Sequence, residues 1–511
     1  MLEAIQTQLN GLPLISLLIL SLPLGAALIW LLPGTRQVRW ITLATALFDL
    51  ALALIILCRY EPHQSGFQLL EKYAWIPSLN IHYQVGIDGL SVLFLPLTVL
   101  LFIAVILASW NSVRTMPRLY FSLLLLLEST TLGIFCALDT MLFFAFWELT
   151  LVPLYFLISL WGVGPNRRYA AVKYTLFMLV GGVPLLFGFI QLAMHQAEMA
   201  AAAIPAGLVF DYQTILNNPL PSRSQALVFL LLLFGFAFKT PVFPLHTWLP
   251  VVAMDGPISI AALMTGLKLG AYGMIRFVVP VAPHAAHEFH WLLAGLGVIG
   301  ILYGAILALA QTNLRRMLAY SSISHVGMVL LGIASFNLQG IQGSVFHLLN
   351  FTLIAGGIFI ITGFLHHRIG STDIVSLGGL IQTMPLLSAF FFLFGLAGMG
   401  VPGTSGFPAE LLILLSALTT HTGAGLAALF AMVLGAGYLL GSYQRAFLGP
   451  ITSAVVKDAV DLRRRELLVV SVMGGLILFI GVYPDAVLEI TRLSSEDWVA
   501  NLTPNTVLVG P

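Results

Sequence analysis

Charge is what this chain has least of. Its 22 Lys and Arg and 21 Asp and Glu make up 8% of 511 residues, where a soluble globular chain carries about 25%. The formal net charge is +1, so there is no basic footprint for nucleic acid. Cysteine is nearly absent: Cys58 and Cys136 are the only two, both inside apolar runs and without CxxC spacing. They exclude an iron–sulfur cluster held by this chain and read as small core hydrophobes. Phosphate-binding glycine motifs are missing as well. Gly435-Ala436-Gly437 lies inside an apolar run, lacks GxGxxG spacing and follows no strand. No Walker A motif or catalytic triad is visible, and no resident cofactor or metal is expected. His284, His287 and His290 share a loop but specify no partner acid or cysteine, and His366-His367-Arg368 reads as an interfacial anchor. What abounds is apolar surface, 59% of the residues, so lipid is the expected solvent.

Runs of about 18 or more mostly apolar residues fall at 14–32, 41–58, 90–110, 119–137, 140–161, 170–194, 226–250, 258–279, 291–310, 318–335, 344–365, 386–419, 423–443 and 466–484. The chain is therefore expected to be an all-α polytopic membrane protein of about fourteen transmembrane helices. The first run follows Glu3 and no basic residue, so it reads as a spanning helix rather than a cleaved signal. Loops after odd-numbered runs carry fifteen Lys and Arg, loops after even-numbered runs and the tail carry five, and Lys239 and Lys268 complete the set. That asymmetry puts the first group in the cytoplasm and both termini on the far side.

Two runs are interrupted. The seventh reads GFAFKTPVFPLHTWLP, with Pro241, Pro244 and Pro250; the twelfth reads GLAGMGVPGTSGFPAELL, with Pro402 and Pro408. Each proline removes a helical hydrogen bond and frees a carbonyl. Lipid does not tolerate freed backbone, so the breaks must face protein or a hydrated cavity. Breaks five helices apart suggest two repeats and point to a transport site between them. The expected divisions are helices 1–3 in residues 1–118, a first repeat in 119–280, a second in 281–445, and helix 14 with a short tail in 446–511.

Lys239 and Lys268 stand inside apolar segments, where one charge costs roughly 2.5–3.5 kcal/mol at a helix centre. Glu128, Glu148, Glu410 and His325 lie in or beside others. Desolvation favours the neutral form of any ionisable group, and a nearby opposite charge reverses that preference. A Glu–Lys pair that approaches and separates can therefore pass a proton on. Glu148, Lys239, Lys268, His325 and Glu410 are each on a different helix and form the candidate relay, with Glu128, His246 and His347 as accessories.

At these residues the chain resembles a known family, the antiporter-like subunits of complex I, related to subunits of multisubunit cation/proton antiporters. FFAFWELTLVPLYFLISLWG around Glu148, GFAFKTPVFPLHTWLP around Lys239, GLKLGAYGMIRF around Lys268, RRMLAYSSISHVGM around His325 and GTSGFPAELL around Glu410 carry the likeness. It runs from about Gly86 to Gly449. The resemblance implies fourteen helices, two inverted five-helix repeats, and a proton path through those five residues. A glutamate on the twelfth helix and a short tail are similar to the NuoM/NdhD branch. Iron–sulfur clusters and quinone would then reside in other subunits, and NdhF-like and NdhB-like subunits would flank this one.

The departures also carry information. VVAMDGP follows HTWLP, so Val251 and Ala253 replace an acid and a histidine usual in the family. Phe351 stands where a histidine is expected, with His347 one turn away, and Asn313 replaces a common aspartate. The VVAMDGP form resembles the NdhD isoforms of cyanobacterial CO2-uptake complexes, which implies a thylakoid location, lumenal termini and a carbonic-anhydrase-like partner. A redox-independent cation/proton exchanger and a channel-silent scaffold for that partner are the alternatives.

Overall fold

The computed structural model describes residues 12–31, 34–201, 204–205 and 207–502. Twelve helices among them are long and apolar enough to cross a membrane. The two remaining runs form shorter apolar helices: Phe94–Ser109, and the pair Pro385–Gly398 and Gly406–Thr420. Their faces bury one large core, with a small second cluster at Ile81, Ala193 and Phe210, while Leu, Phe and Val side chains also cover the outside, as lipid-facing helices require.

Several boundaries differ from the sequence expectation. The fifth run is two helices, Thr140–Leu149 and Leu151–Trp161, meeting at Thr150. Pro153, without an N–H, sits in the turn after the joint. The eighth run is also divided: Ile258–Gly266 ends before Lys268, Leu269–Gly273 follows, and Met274–Val278 is wound as a π-helix. The eleventh contains a second π-helical stretch, Phe351–Ala355, between Leu338–Asn350 and Gly356–Ile369. Cys136 is buried, but Cys58 is exposed near the end of the Thr35–Arg59 helix, so only one of the two is a core hydrophobe.

Two elements outside the apolar runs tie the bundle together. Strands β1 (Gln68–Ile76) and β2 (Ile81–Ile87) form an antiparallel hairpin. Its Glu71 carboxylate accepts the backbone N–H groups of Ile15 (2.8 Å) and Ser16 (3.0 Å) and the Ser16 hydroxyl. An anion thus caps the positive end of the Leu14–Leu31 helix. The tail contributes a further helix, Asp485–Ala500, packed on Leu338–Asn350. Arg276 joins these parts. Counted as a loop residue from the sequence, it lies buried in the π-helical stretch with its guanidinium forked onto Asp88 at 2.6 and 2.7 Å. The Trp498 indole donates to the adjacent Ile275 carbonyl at 2.8 Å.

Candidate functional site

The seventh helix, Ser222–Lys239, stops at Lys239 because Pro241 and Pro244 cannot extend it; the chain becomes helical again at Trp248–Asp255. The freed Phe238 carbonyl accepts the Trp248 indole N–H at 2.8 Å. Lys239 is thus the last residue of a helix rather than the middle of one. Its Nζ donates to the Thr150 hydroxyl (2.8 Å) and the Trp147 carbonyl (3.1 Å), and lies 3.9 Å from the centre of the Trp147 ring. The joint at Thr150 makes this possible, since it leaves the Trp147 carbonyl able to accept from outside its helix.

Glu148 and Lys239 are not a contact ion pair. Each acts electrostatically on the other, but Glu148 Oε1 is buried without a hydrogen-bond partner and rests against Gly182. A cavity of about 40 Å³ adjoins Lys239, lined also by Thr150, Tyr174, Trp248, Leu267 and Leu269. It opens the way to the next break, at Leu267–Lys268.

Lys268 caps the short Leu269–Gly273 helix, 4% exposed, and its Nζ has no hydrogen-bond partner. Its nearest described neighbour of note is the Phe351 ring, whose centre is 5.0 Å away. Thr352, in the same π-helical stretch, donates to the Gly266 carbonyl freed by the break (3.2 Å). π-Helical turns are frequent at functional sites.

Beyond Phe351 lies a second cluster. The rings of His325 and His347 are 5.3 Å apart, both edge-on to Phe351, at 6.3 and 5.3 Å. His325 Nδ1 is 3.5 Å from Glu410 Oε1. Glu410 belongs to Gly406–Thr420, and its other oxygen turns back over Gly400 in the break before that helix. Gly400 has φ +64°, a conformation that a side chain disfavours, and a Cβ there would collide with the carboxylate. A cavity of about 50 Å³ is lined by Ser321, Ser322, His325, His347, Asn350 and Glu410.

The structure therefore brings the five relay candidates into two groups, Glu148–Lys239 and His325–Glu410, the second joined by the accessory His347, with Lys268 between them behind Phe351. His246 sits within the break of the seventh helix, packed on Phe243 and Tyr303. Glu128 stands apart. It is fully buried on Pro117–Cys136 with neither oxygen bonded, and the group acting on it is Asp49, which accepts the Ser21 hydroxyl at 3.0 Å. Sequence reasoning missed Asp49, although an acid inside the run 41–58 was the signal available.

Residues 137–435 match the family described as NADH:quinone oxidoreductase/Mrp antiporter, TM. The chain is 38% identical over 492 residues to NAD(P)H-quinone oxidoreductase chain 4 1 of a Synechococcus strain, covering 92% of this chain and 90% of that protein. It is 34% identical over 464 residues to NADH-quinone oxidoreductase subunit M of Rickettsia conorii, covering 90% and 92%. Among solved structures, a chain of respiratory complex I from Thermus thermophilus with bound NADH superposes with a TM-score of 0.86 at 30% identity, over 96% of this chain and 99% of that one. A chain of the Mrp complex from Dietzia superposes with a TM-score of 0.81 at 21% identity, which is a likeness of fold.

Proposed function

We propose a proton route for this chain from the premise that it belongs to the NADH:quinone oxidoreductase/Mrp antiporter family. It is a proton-translocating, antiporter-like membrane subunit of the complex I type, part of a quinone oxidoreductase whose redox chemistry lies in other subunits. Glu148 and Lys239 load a proton, Lys268 and His325 pass it laterally, and Glu410 releases it toward the far side. The observation that carries this reading is the unpartnered Lys268 amine, buried at a helix break between two largely apolar cavities that Lys239 and Glu410 border. A buried charge without a partner costs several kcal/mol, and a transport step gives a reason for retaining it.

The test is dye-reported acidification in vesicles containing the assembled complex. Lys239→Met and Glu148→Gln should each lower proton movement at least tenfold, which corresponds to about 1.4 kcal/mol in the limiting barrier. Pumping at the wild-type rate in both assembled variants rejects the route.

The finer assignment is to the CO2-uptake form of a photosynthetic complex, using plastoquinone in cyclic electron transport in a cyanobacterial thylakoid membrane with both termini lumenal. Its partners are NdhF-like and NdhB-like subunits and a carbonic-anhydrase-like hydration protein. Support comes from VVAMDGP at 251–257 and from the similarity to a cyanobacterial relative. Mass spectrometry of the proteins that copurify with a tagged chain tests it. Quinone-module subunits with a hydration protein are expected, and antiporter-type membrane subunits alone would instead mean an ion exchanger.

Phe351 favours a second reading, because its ring stands between Lys268 and His325. The lateral path is then closed and the chain serves as a dock for the hydration protein. Unaltered pumping in Lys268→Met would favour this scaffold.

A further inference from the structure

We propose that His325, His347 and Glu410 form a binding site for a divalent transition-metal ion of the zinc class, and that occupancy halts proton passage through Glu410. The second clause rests on the proton route above; the first does not.

The donors come from three different helices, Leu314–Ala334, Leu338–Asn350 and Gly406–Thr420, so the fold itself sets their spacing. One donor atom from each lies within 4.8 Å of the other two. Tetrahedral zinc with bonds of about 2.0–2.1 Å places its ligands roughly 3.3 Å apart. His325 Nδ1 and Glu410 Oε1 are already 3.5 Å apart, so closure falls mainly to His347. No hydrogen bond holds that ring in place, because neither of its nitrogens has a partner.

His347 supplies the independent sign of a ligand. It is 5% exposed with two orphaned nitrogens, and buried polar groups are nearly always satisfied by something. The cavity of about 50 Å³ beside all three donors has room for one water as a fourth ligand, since a water takes about 30 Å³. Two imidazoles and one carboxylate suit zinc and its neighbours, whereas calcium and magnesium require oxygen donors throughout. His347 lies one turn before Phe351 on the same run, and its ring is 5.3 Å from that of His325.

An ion held here occupies the Glu410 oxygen and the His325 nitrogen that face each other, leaving neither able to take or give a proton. Lys268 opposes it. The ammonium acts electrostatically on His325 from the other side of Phe351, so a charged Lys268 and a bound dication disfavour one another.

The experiment is equilibrium dialysis of the purified intact complex against micromolar Zn2+, with bound zinc counted by mass spectrometry, for wild type, His347→Gln and Lys268→Met. Assembly of each variant is checked on native gels, and His325→Gln replaces His347→Gln if the latter does not assemble. Wild type should hold one more zinc than the histidine variant, or hold it at least about tenfold more tightly, because even outer-shell partners of a metal are worth 10–100-fold. Lys268→Met should bind more tightly than wild type. Equal zinc content and affinity in wild type and the histidine variant would overturn the site. Zinc that binds wild type yet leaves its proton movement unchanged would overturn the block and count against the route, while the site would stand.

Discussion

Replacing Asp88 with Asn measures what holds the Lys268 segment in place. Arg276 follows Lys268 by two turns, and its guanidinium meets Asp88 in a fork of two charge-assisted bonds, 2.6 and 2.7 Å long, with both side chains less than a tenth exposed. Tyr272 Oη accepts from the same guanidinium at 3.1 and 3.3 Å, and the Tyr212 hydroxyl donates to the Arg276 carbonyl. Removing one member of a buried pair costs about 3–5 kcal/mol, because the survivor's charge stays desolvated. A cavity of about 270 Å³ borders Arg276 and Asp88, large enough for several waters at about 30 Å³ each. Water there softens the penalty, so the lower end, about 3 kcal/mol, is the expected cost.

Amide hydrogen exchange reads that cost locally, without requiring the whole complex to unfold in one step. At about 1.4 kcal/mol per factor of ten, amides of Tyr272–Val278 in Asp88→Asn should exchange roughly 100-fold faster than in wild type. Replacing both members, Asp88→Leu with Arg276→Met, removes the stranded charge and should recover most of that protection. Exchange within about threefold of wild type in the single variant would refute the reasoning. So would a double variant as exposed as the single one.

Three further outcomes are expected. Phe351→His puts an imidazole between Lys268 and His325 and should raise proton movement in the vesicle assay; an unchanged rate means the ring is no barrier. Glu71→Gln weakens the cap on the Leu14–Leu31 helix by about 1–2 kcal/mol, so Leu17 and Leu18 amides should exchange about ten times faster. Asp497 lies in the tail helix, where burial first, then Glu496 and Asp88, raise its pKa above 3.8. Its charged form is therefore the strained one: the penalty is absent below the ordinary aspartate value and grows as pH rises through the raised value. Asp497→Asn should slow exchange in the tail helix at pH 7.5 and have no effect near pH 3.5.

The apolar runs were legible because lipid permits few ways to satisfy a backbone, and the seventh and twelfth breaks were legible because proline marks them. The breaks at Thr150 and Lys268 carry no such mark at the joint. Their freed carbonyls are met partly from afar: Lys239 as well as the local Thr150 hydroxyl donates to the Trp147 carbonyl, and Thr352 donates to the Gly266 carbonyl. Gly270 also lets its helix approach Phe236 and Thr240, where a Cβ would collide. The Arg276–Asp88 fork spans 188 positions, and an arginine at the end of an apolar run reads as a loop residue until its acid is located. The hairpin leaves no mark in an 18-residue apolar pattern, because its strands are nine and seven residues long. Glu148 and Lys239 were legible as a pair but not as separated, because sequence spacing says nothing about side-chain reach.

Helix polarity explains why these charges sit at breaks. A half-helix has a negative C-terminal and a positive N-terminal end, each worth about 0.3–1 kcal/mol to a suitable charge and up to about 2 when partly buried. Lys239 is the last residue of Ser222–Lys239, a negative end, whereas Lys268 lies between the negative end of Ile258–Gly266 and the positive end of the short Leu269–Gly273 helix. Glu410 lies just past the first turn of Gly406–Thr420, nearest the positive end. Glu148 is the exception, an acid at the C-terminal end of Thr140–Leu149, where the dipole opposes an anion. Any charge on Glu148 therefore depends on Lys239, whereas Lys239 has the Trp147 carbonyl, the Thr150 hydroxyl and a helix end of its own. That asymmetry makes Glu148 the member of the pair that must respond when Lys239 changes state. On this argument Lys239→Met should silence both residues, while Glu148→Gln should leave the Lys239 contacts intact.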